Sequence, residues 1–101
     1  MSDDPLYLIA TIKPRPDRLR QAERELRLLI AGTRAEPGCV YMELVESPSD
    51  PDTWTMLEKF QSRSAWERHM ETDHVVHGNE ALRDLLREPT DLRFFTQRPM
   101  A

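Results

Sequence analysis

Glu58-Lys59-Phe60-Gln61-Ser62-Arg63-Ser64-Ala65-Trp66-Glu67-Arg68-His69-Met70-Glu71-Thr72-Asp73-His74 runs an alternating strand into a capped helix. The hydrophobic period changes inside it. Up to Phe60, Trp54, Met56, Glu58 and Phe60 point one way while Thr55, Leu57 and Lys59 point the other. Beyond Gln61 the pattern is helical. Ser62 or Ser64 caps a short helix, with Ser64 and Glu67 spaced as a capping box. Asp73 is expected to cap another, in which Val75, Leu82, Leu85 and Leu86 form a buried stripe until Pro89 ends it.

Upstream, Leu6 to Ile12 is β-rich and bounded by Pro14 and Pro16. Pro16 suits a first helical turn. From there Leu19, Ala22, Leu26, Leu29, Ile30 and Thr33 recur at helical spacing, with Arg20, Glu23, Arg24 and Arg27 on the opposite face. Ala35-Glu36-Pro37-Gly38-Cys39 breaks this helix and begins a strand expected over Cys39 to Glu46. Ser47 to Asp52 reads as a polar turn, Thr53 to Phe60 as a third strand and Leu92 to Thr96 as the last. A polar start, Ser2-Asp3-Asp4-Pro5, precedes it all.

The order is β-α-β-β-α-β with the second helical region split in two. This predicts an α+β, ferredoxin-like antiparallel sheet with helices packed on one face. Apolar residues on the other face need a cover, and a second copy supplies one, so a homodimer built through the sheet faces is expected. A chain of 101 residues leaves room for a single domain, residues 1–101.

Net charge is −4, with signs interspersed along the chain. That argues against a nucleic-acid binder, which needs a cationic stripe, and against a polybasic membrane-surface protein. There is no N-terminal apolar h-region and no apolar run of bilayer-spanning length. One cysteine forms no internal disulfide, and a reducing, cytoplasmic setting is the simplest expectation.

Several residues are candidates for chemistry. Glu58 lies mid-strand between apolar neighbours, so burial would raise its pKa and make it a proton acceptor; the alternative is a structural acid paired to an arginine or histidine. His69 shares a helix face with Ala65, Trp66 and Met70 and is suited to deprotonating a hydroxyl; otherwise it is a hydrogen-bonded core histidine, with Glu58 as its partner. His74 and His77 are spaced i,i+3, but no cysteine pair or Glu-x-x-His doublet supports a metal, and none is expected. Trp54, Trp66, Tyr41, Met70 and Phe94 supply aromatic and thioether surface, either as core or as the wall of a small-ligand cavity, with Tyr7 and Asn79 as polar contacts. Cys39 reads as a small buried hydrophobe. The three glycines are too dispersed to cradle a dinucleotide phosphate, and no cofactor is expected.

Two stretches, Ala35-Glu36-Pro37-Gly38-Cys39 and the run from Glu58 through His69-x-x-Thr72-x-His74, resemble the antibiotic biosynthesis monooxygenase (ABM) superfamily, and its quinol-monooxygenase-like branch most of all. The resemblance covers nearly the whole chain. It implies a small dimeric α+β barrel-type assembly and cofactor-independent oxidation of a quinol-like, polyphenolic or polyketide aromatic by O2, with His69 lining the pocket as the catalytic candidate. For Glu58, whose catalytic candidacy comes from its mid-strand position, the resemblance implies a largely architectural glutamate. It also implies that His74 borders the cavity, whereas Trp66, Trp54, Tyr41, Met70, Asn79 and Phe94 are substrate-binding candidates by residue type alone. The haem-degrading branch uses an asparagine, a tryptophan and a histidine where Ile12, His69 and Asn79 stand here, which argues against haem oxygenation. Two other readings stay open: a non-catalytic, stress-associated ligand-binding dimer, and a small-metabolite isomerase.

Overall fold

The computed structural model describes residues 4–100; Ser2 and Asp3 of the polar start lie outside it. Strand β1 is Leu6–Ile12, helix α1 Leu19–Arg34, β2 Cys39–Ser47, β3 Asp50–Phe60, α2 Arg63–Met70, α3 Asp73–Arg83 and β4 Asp91–Thr96. A 3-10 turn, Pro16–Arg18, leads into α1, with Pro16 in the tolerated first position. The four strands form one antiparallel sheet in the order β2-β3-β1-β4. This is the ferredoxin-like arrangement.

Several boundaries move for local reasons. Pro48 and Ser49 form a two-residue turn, so β3 begins at Asp50 and not at Thr53. Ser62 caps α2 by accepting the Ala65 N–H at 3.1 Å, which leaves Ser64 inside the helix, without the Ser64–Glu67 capping box. Thr72, not Asp73, is the N-cap residue of α3, and its hydroxyl donates instead to the His69 carbonyl at 2.7 Å. That bond ties the start of α3 to the end of α2. Helix α3 stops at Arg83, and Leu85 and Leu86 turn back toward β1, where Leu86 bridges Pro14.

The helices cover one face of the sheet. Leu6, Leu8, Ala10 and Ile12 of β1, Trp54, Met56, Glu58 and Phe60 of β3, and Met42 of β2 all lie buried beneath them. They meet Ala22 and Leu26 of α1, Ala65 of α2 and Val75 and Leu82 of α3, an apolar layer whose removal from water is the main stabilising term.

The other face is uncovered in the single chain. One cross-strand row there is Tyr41–Lys59–Tyr7–Phe95, with the Lys59 ammonium 5.1 Å from the Tyr7 ring centroid. Ile9, Val45 and Phe95 on this face are 37%, 40% and 44% exposed. The described residues include no helix long and apolar enough to cross a membrane.

Two glycines permit close approach. A Cβ on Gly38 would lie 2.5 Å from the Ala65 Cβ, so only glycine lets α2 seat on the start of β2. A Cβ on Gly32 would lie 2.6 Å from Cγ of the His74 ring, so α1 is bare where α3 lays its imidazole.

Candidate active site

Glu36 is the residue on which the site converges. It sits in the link between α1 and β2, where its N–H donates to the Thr33 carbonyl at 3.0 Å and its own carbonyl accepts the Cys39 N–H at 3.2 Å. Its Oε2 is 2.8 Å from His69 Nδ1 and 2.5 Å from His74 Nε2. The α1–β2 link and the two successive helices α2 and α3 therefore meet at one carboxylate oxygen. His69 is 4% exposed and its ring packs on Phe60, with centroids 4.8 Å apart. With Nδ1 engaged by Glu36, Nε2 is the nitrogen left to address the cavity that His69 lines. Burial pushes the His69 pKa down, while the Glu36 hydrogen bond works the other way. A neutral imidazole oriented by a carboxylate is the arrangement of a general base.

The cavity measures about 200 Å³ and lies between the sheet and the helices. Its walls are Ala10, Ile12, Met42 and Met56 from the sheet, Leu26 and Leu29 from α1, Trp66, His69 and Met70 from α2, and Val75, Asn79 and Leu82 from α3. Leu92 and Thr90, at the β4 end, complete it. Glu58 is its only acid. It is 7% exposed, and burial raises its pKa to about 7. Among the described residues no arginine or histidine pairs with it, so the expected Glu58–His69 contact is replaced by Glu36–His69.

The two imidazoles and the carboxylate have ligand atoms within 4.8 Å of one another, a donor set that a zinc-class cation also takes. Both nitrogens aim at the oxygen itself, which is the geometry of a hydrogen-bonded bridge. His77 stands apart, on Glu25 at 3.1 Å, with its ring in solvent.

The cavity gathers His69, Glu58, Trp66, Met70 and Asn79 but not the other expected residues. His74 lies behind Glu36. Trp54 is buried at the far end of β3, its indole N–H donating to the Pro51 carbonyl at 3.1 Å. Phe94 makes an edge-to-face contact with Trp66 at 4.9 Å, outside the lining, with Arg63 over both rings. Tyr41 is on the uncovered face, as is Tyr7. The reason is a bulge: Cys39 pairs with Phe60 and Tyr41 with Lys59, so Val40 is an extra residue and every later side chain of β2 changes face.

Glu36 was not singled out in the sequence. The available signal was an acid immediately before a Pro-Gly break, in one of the two quoted stretches. Cys39 is half-buried, and burial, followed by Glu36 and Glu58, raises its thiol pKa, consistent with an inert thiol.

Comparison with known proteins adds an independent line. The model of the family described as antibiotic biosynthesis monooxygenase matches residues 5–81. "Putative monooxygenase Rv0793" of Mycobacterium tuberculosis is 33% identical over 85 residues, covering 84% of this chain and 83% of that one. "Putative monooxygenase YcnE" of Bacillus subtilis is 31% identical over 87 residues, covering 86% and 92%. An uncharacterised protein of Synechocystis is 26% identical over 94 residues, and the chain spans 64% of its length. The solved structure of Rv0793 superposes with a TM-score of 0.89 at 30% identity, covering 96% of this chain and 98% of that one. The family match over residues 5–81 spans the positions of Glu36, His69 and His74 and strands β1 to β3, and the chain belongs to the antibiotic biosynthesis monooxygenase family.

Proposed function

We propose that the protein is a monooxygenase that oxidises a single-ring quinol with O2, without a redox cofactor, using His69 as the base. The observation that carries this reading is the carboxylate-held imidazole on the wall of an apolar cavity. Cavity size selects the substrate. A cavity of roughly 150 Å³ takes up benzene, and drug-sized ligands occupy about 300 Å³ or more. At about 200 Å³ the chamber suits one substituted ring better than a fused polyketide.

In this scheme His69 Nε2 removes a phenolic proton, and Glu36 steadies the imidazolium that forms. The quinolate gives one electron to O2, and the semiquinone and superoxide combine as a peroxide on a ring carbon. His69 returns its proton to the outer oxygen, the O–O bond breaks as the same ring carbon gives up its hydrogen as a proton to the departing hydroxide, and the products are a hydroxyquinone and one water. Quinol plus O2 balances hydroxyquinone plus water, so the substrate supplies all the electrons. Trp66 and Met70 provide apolar contact with the ring. Asn79 offers an amide to a substrate oxygen, and Glu58, in its neutral form, donates a hydrogen bond to the anion.

The uncovered sheet face is proposed to pack against a second copy. Ile9, Tyr41, Val45 and Phe95 form the contact, closing an apolar area that a single chain leaves in water.

The test is the purified protein with hydroquinone in air-saturated buffer and nothing else added. Hydroxyquinone should appear with one O2 consumed per product and with no product under anaerobiosis. Product formed without oxygen would point to an isomerase, and saturable binding without turnover to a carrier.

A further inference from the structure

We infer that His74 is a positioning residue for His69, acting through Glu36, and that Gly32 is the seat that holds it. This rests on the reading of His69 as the base. Glu36 projects from an irregular link, and a glutamate side chain left to itself samples several rotamers. Here its Oε2 accepts two N–H groups, one from α2 and one from α3, at 2.8 Å from His69 and 2.5 Å from His74. Each bond fixes what the other needs. The His74 N–H keeps the carboxylate aimed at α2, and the carboxylate then holds the His69 proton on Nδ1, so that Nε2 reaches the cavity as an acceptor.

His74 has no contact with the cavity itself. Its ring is held from the other side by Gly32, whose hypothetical Cβ would stand 2.6 Å from Cγ and 2.8 Å from Nδ1. The ionisable groups around this chain of contacts include Cys39 on β2, which senses Glu36, Glu58 and Arg34, Glu58 on β3, and Arg34 at the end of α1. The order of dependence is Gly32, His74, Glu36, His69. The last step faces substrate.

The experiment reads the His69 tautomer directly, by nitrogen-15 NMR of its two ring nitrogens, and separately reads kcat and KM for hydroquinone. Four proteins are compared: wild type, His74→Ala, His74→Gln and Gly32→Ala. In wild type Nδ1 should carry the proton. In His74→Ala and Gly32→Ala the two tautomers should mix and kcat should fall about tenfold, the lower range for loss of an outer hydrogen bond. KM should hold, since His74 does not touch the cavity. His74→Gln, whose amide N–H can still donate to Glu36, should restore both readouts. An unchanged Nδ1–H tautomer in folded His74→Ala and Gly32→Ala would overturn the inference. If wild type oxidises no quinol, the functional reading falls, while the NMR comparison still decides whether His74 positions His69.

Discussion

Glu36 and His69, 33 positions apart in sequence, are joined by a 2.8 Å hydrogen bond between a carboxylate oxygen and Nδ1. The bond links the two stretches that carry the family resemblance. One supplies the carboxylate and the other the imidazole. The Pro-Gly break after Glu36 also belongs to the site, because Gly38 lets α2 come close enough for the bond to form.

Glu36→Gln tests that bond. The amide removes the negative charge that steadies a protonated His69, while keeping the volume. Turnover of hydroquinone should drop about 10²-fold, the lower range for a general base, with little change in KM. Steady-state rates at pH 7 read it directly. A change confined to KM would mean that Glu36 acts on binding and not on the base.

Glu58→Gln is expected to stabilise the protein, and more so at high pH. Burial raises the Glu58 pKa from its ordinary 4.5 to about 7, so the folded state favours the neutral acid. The stability that goes with the neutral form is complete below pH 4.5 and is lost as pH rises through about 7. At roughly 1.4 kcal/mol per unit the loss amounts to about 3 kcal/mol by pH 8. Urea unfolding at pH 5 and pH 8 should show the gap between variant and wild type widening by that order. An equal gap at both pH values would contradict a buried, unpaired Glu58.

Gly38→Ala should destabilise the fold by about 1–3 kcal/mol, the usual cost of overpacking. The added methyl lands on the Ala65 methyl. Ala65→Gly in the same chain should recover part of the loss. A double-mutant cycle on unfolding free energy checks this; strictly additive effects would rule out a direct clash.

Ile9→Lys places a charge mid-strand on the uncovered face, beside Leu57 and Arg93. If a second copy covers that face, the variant should run as a monomer in light scattering where wild type runs as a dimer. Identical masses would remove the sheet-face dimer.

Much of the fold was legible because each element has its own local cause. The period-two pattern of Trp54 to Phe60, the apolar spacing of Leu19 to Thr33 and the Pro37-Gly38 break each fix one piece. His69, Trp66 and Met70 were readable as one helical face, and they do share the cavity. Less could be read where the outcome depends on backbone register or on a partner from elsewhere. The Val40 bulge sends Tyr41 to the opposite face, and strict alternation from Cys39 hides it. Glu58 was the strand acid expected to meet His69, but mid-strand it lines the cavity, while Glu36 reaches His69 because the α1–β2 link lies against α2. Thr72 outcompetes Asp73 as N-cap residue because the chain between α2 and α3 turns on the Thr72 hydroxyl.

The most direct measurement is oxygen uptake by wild type and His69→Ala with saturating hydroquinone, both proteins shown folded by circular dichroism. Wild type should consume O2 well above the uncatalysed rate, and the variant should lose about 10²-fold or more of that excess. Equal uptake by the two proteins would contradict His69 as the base in this cavity.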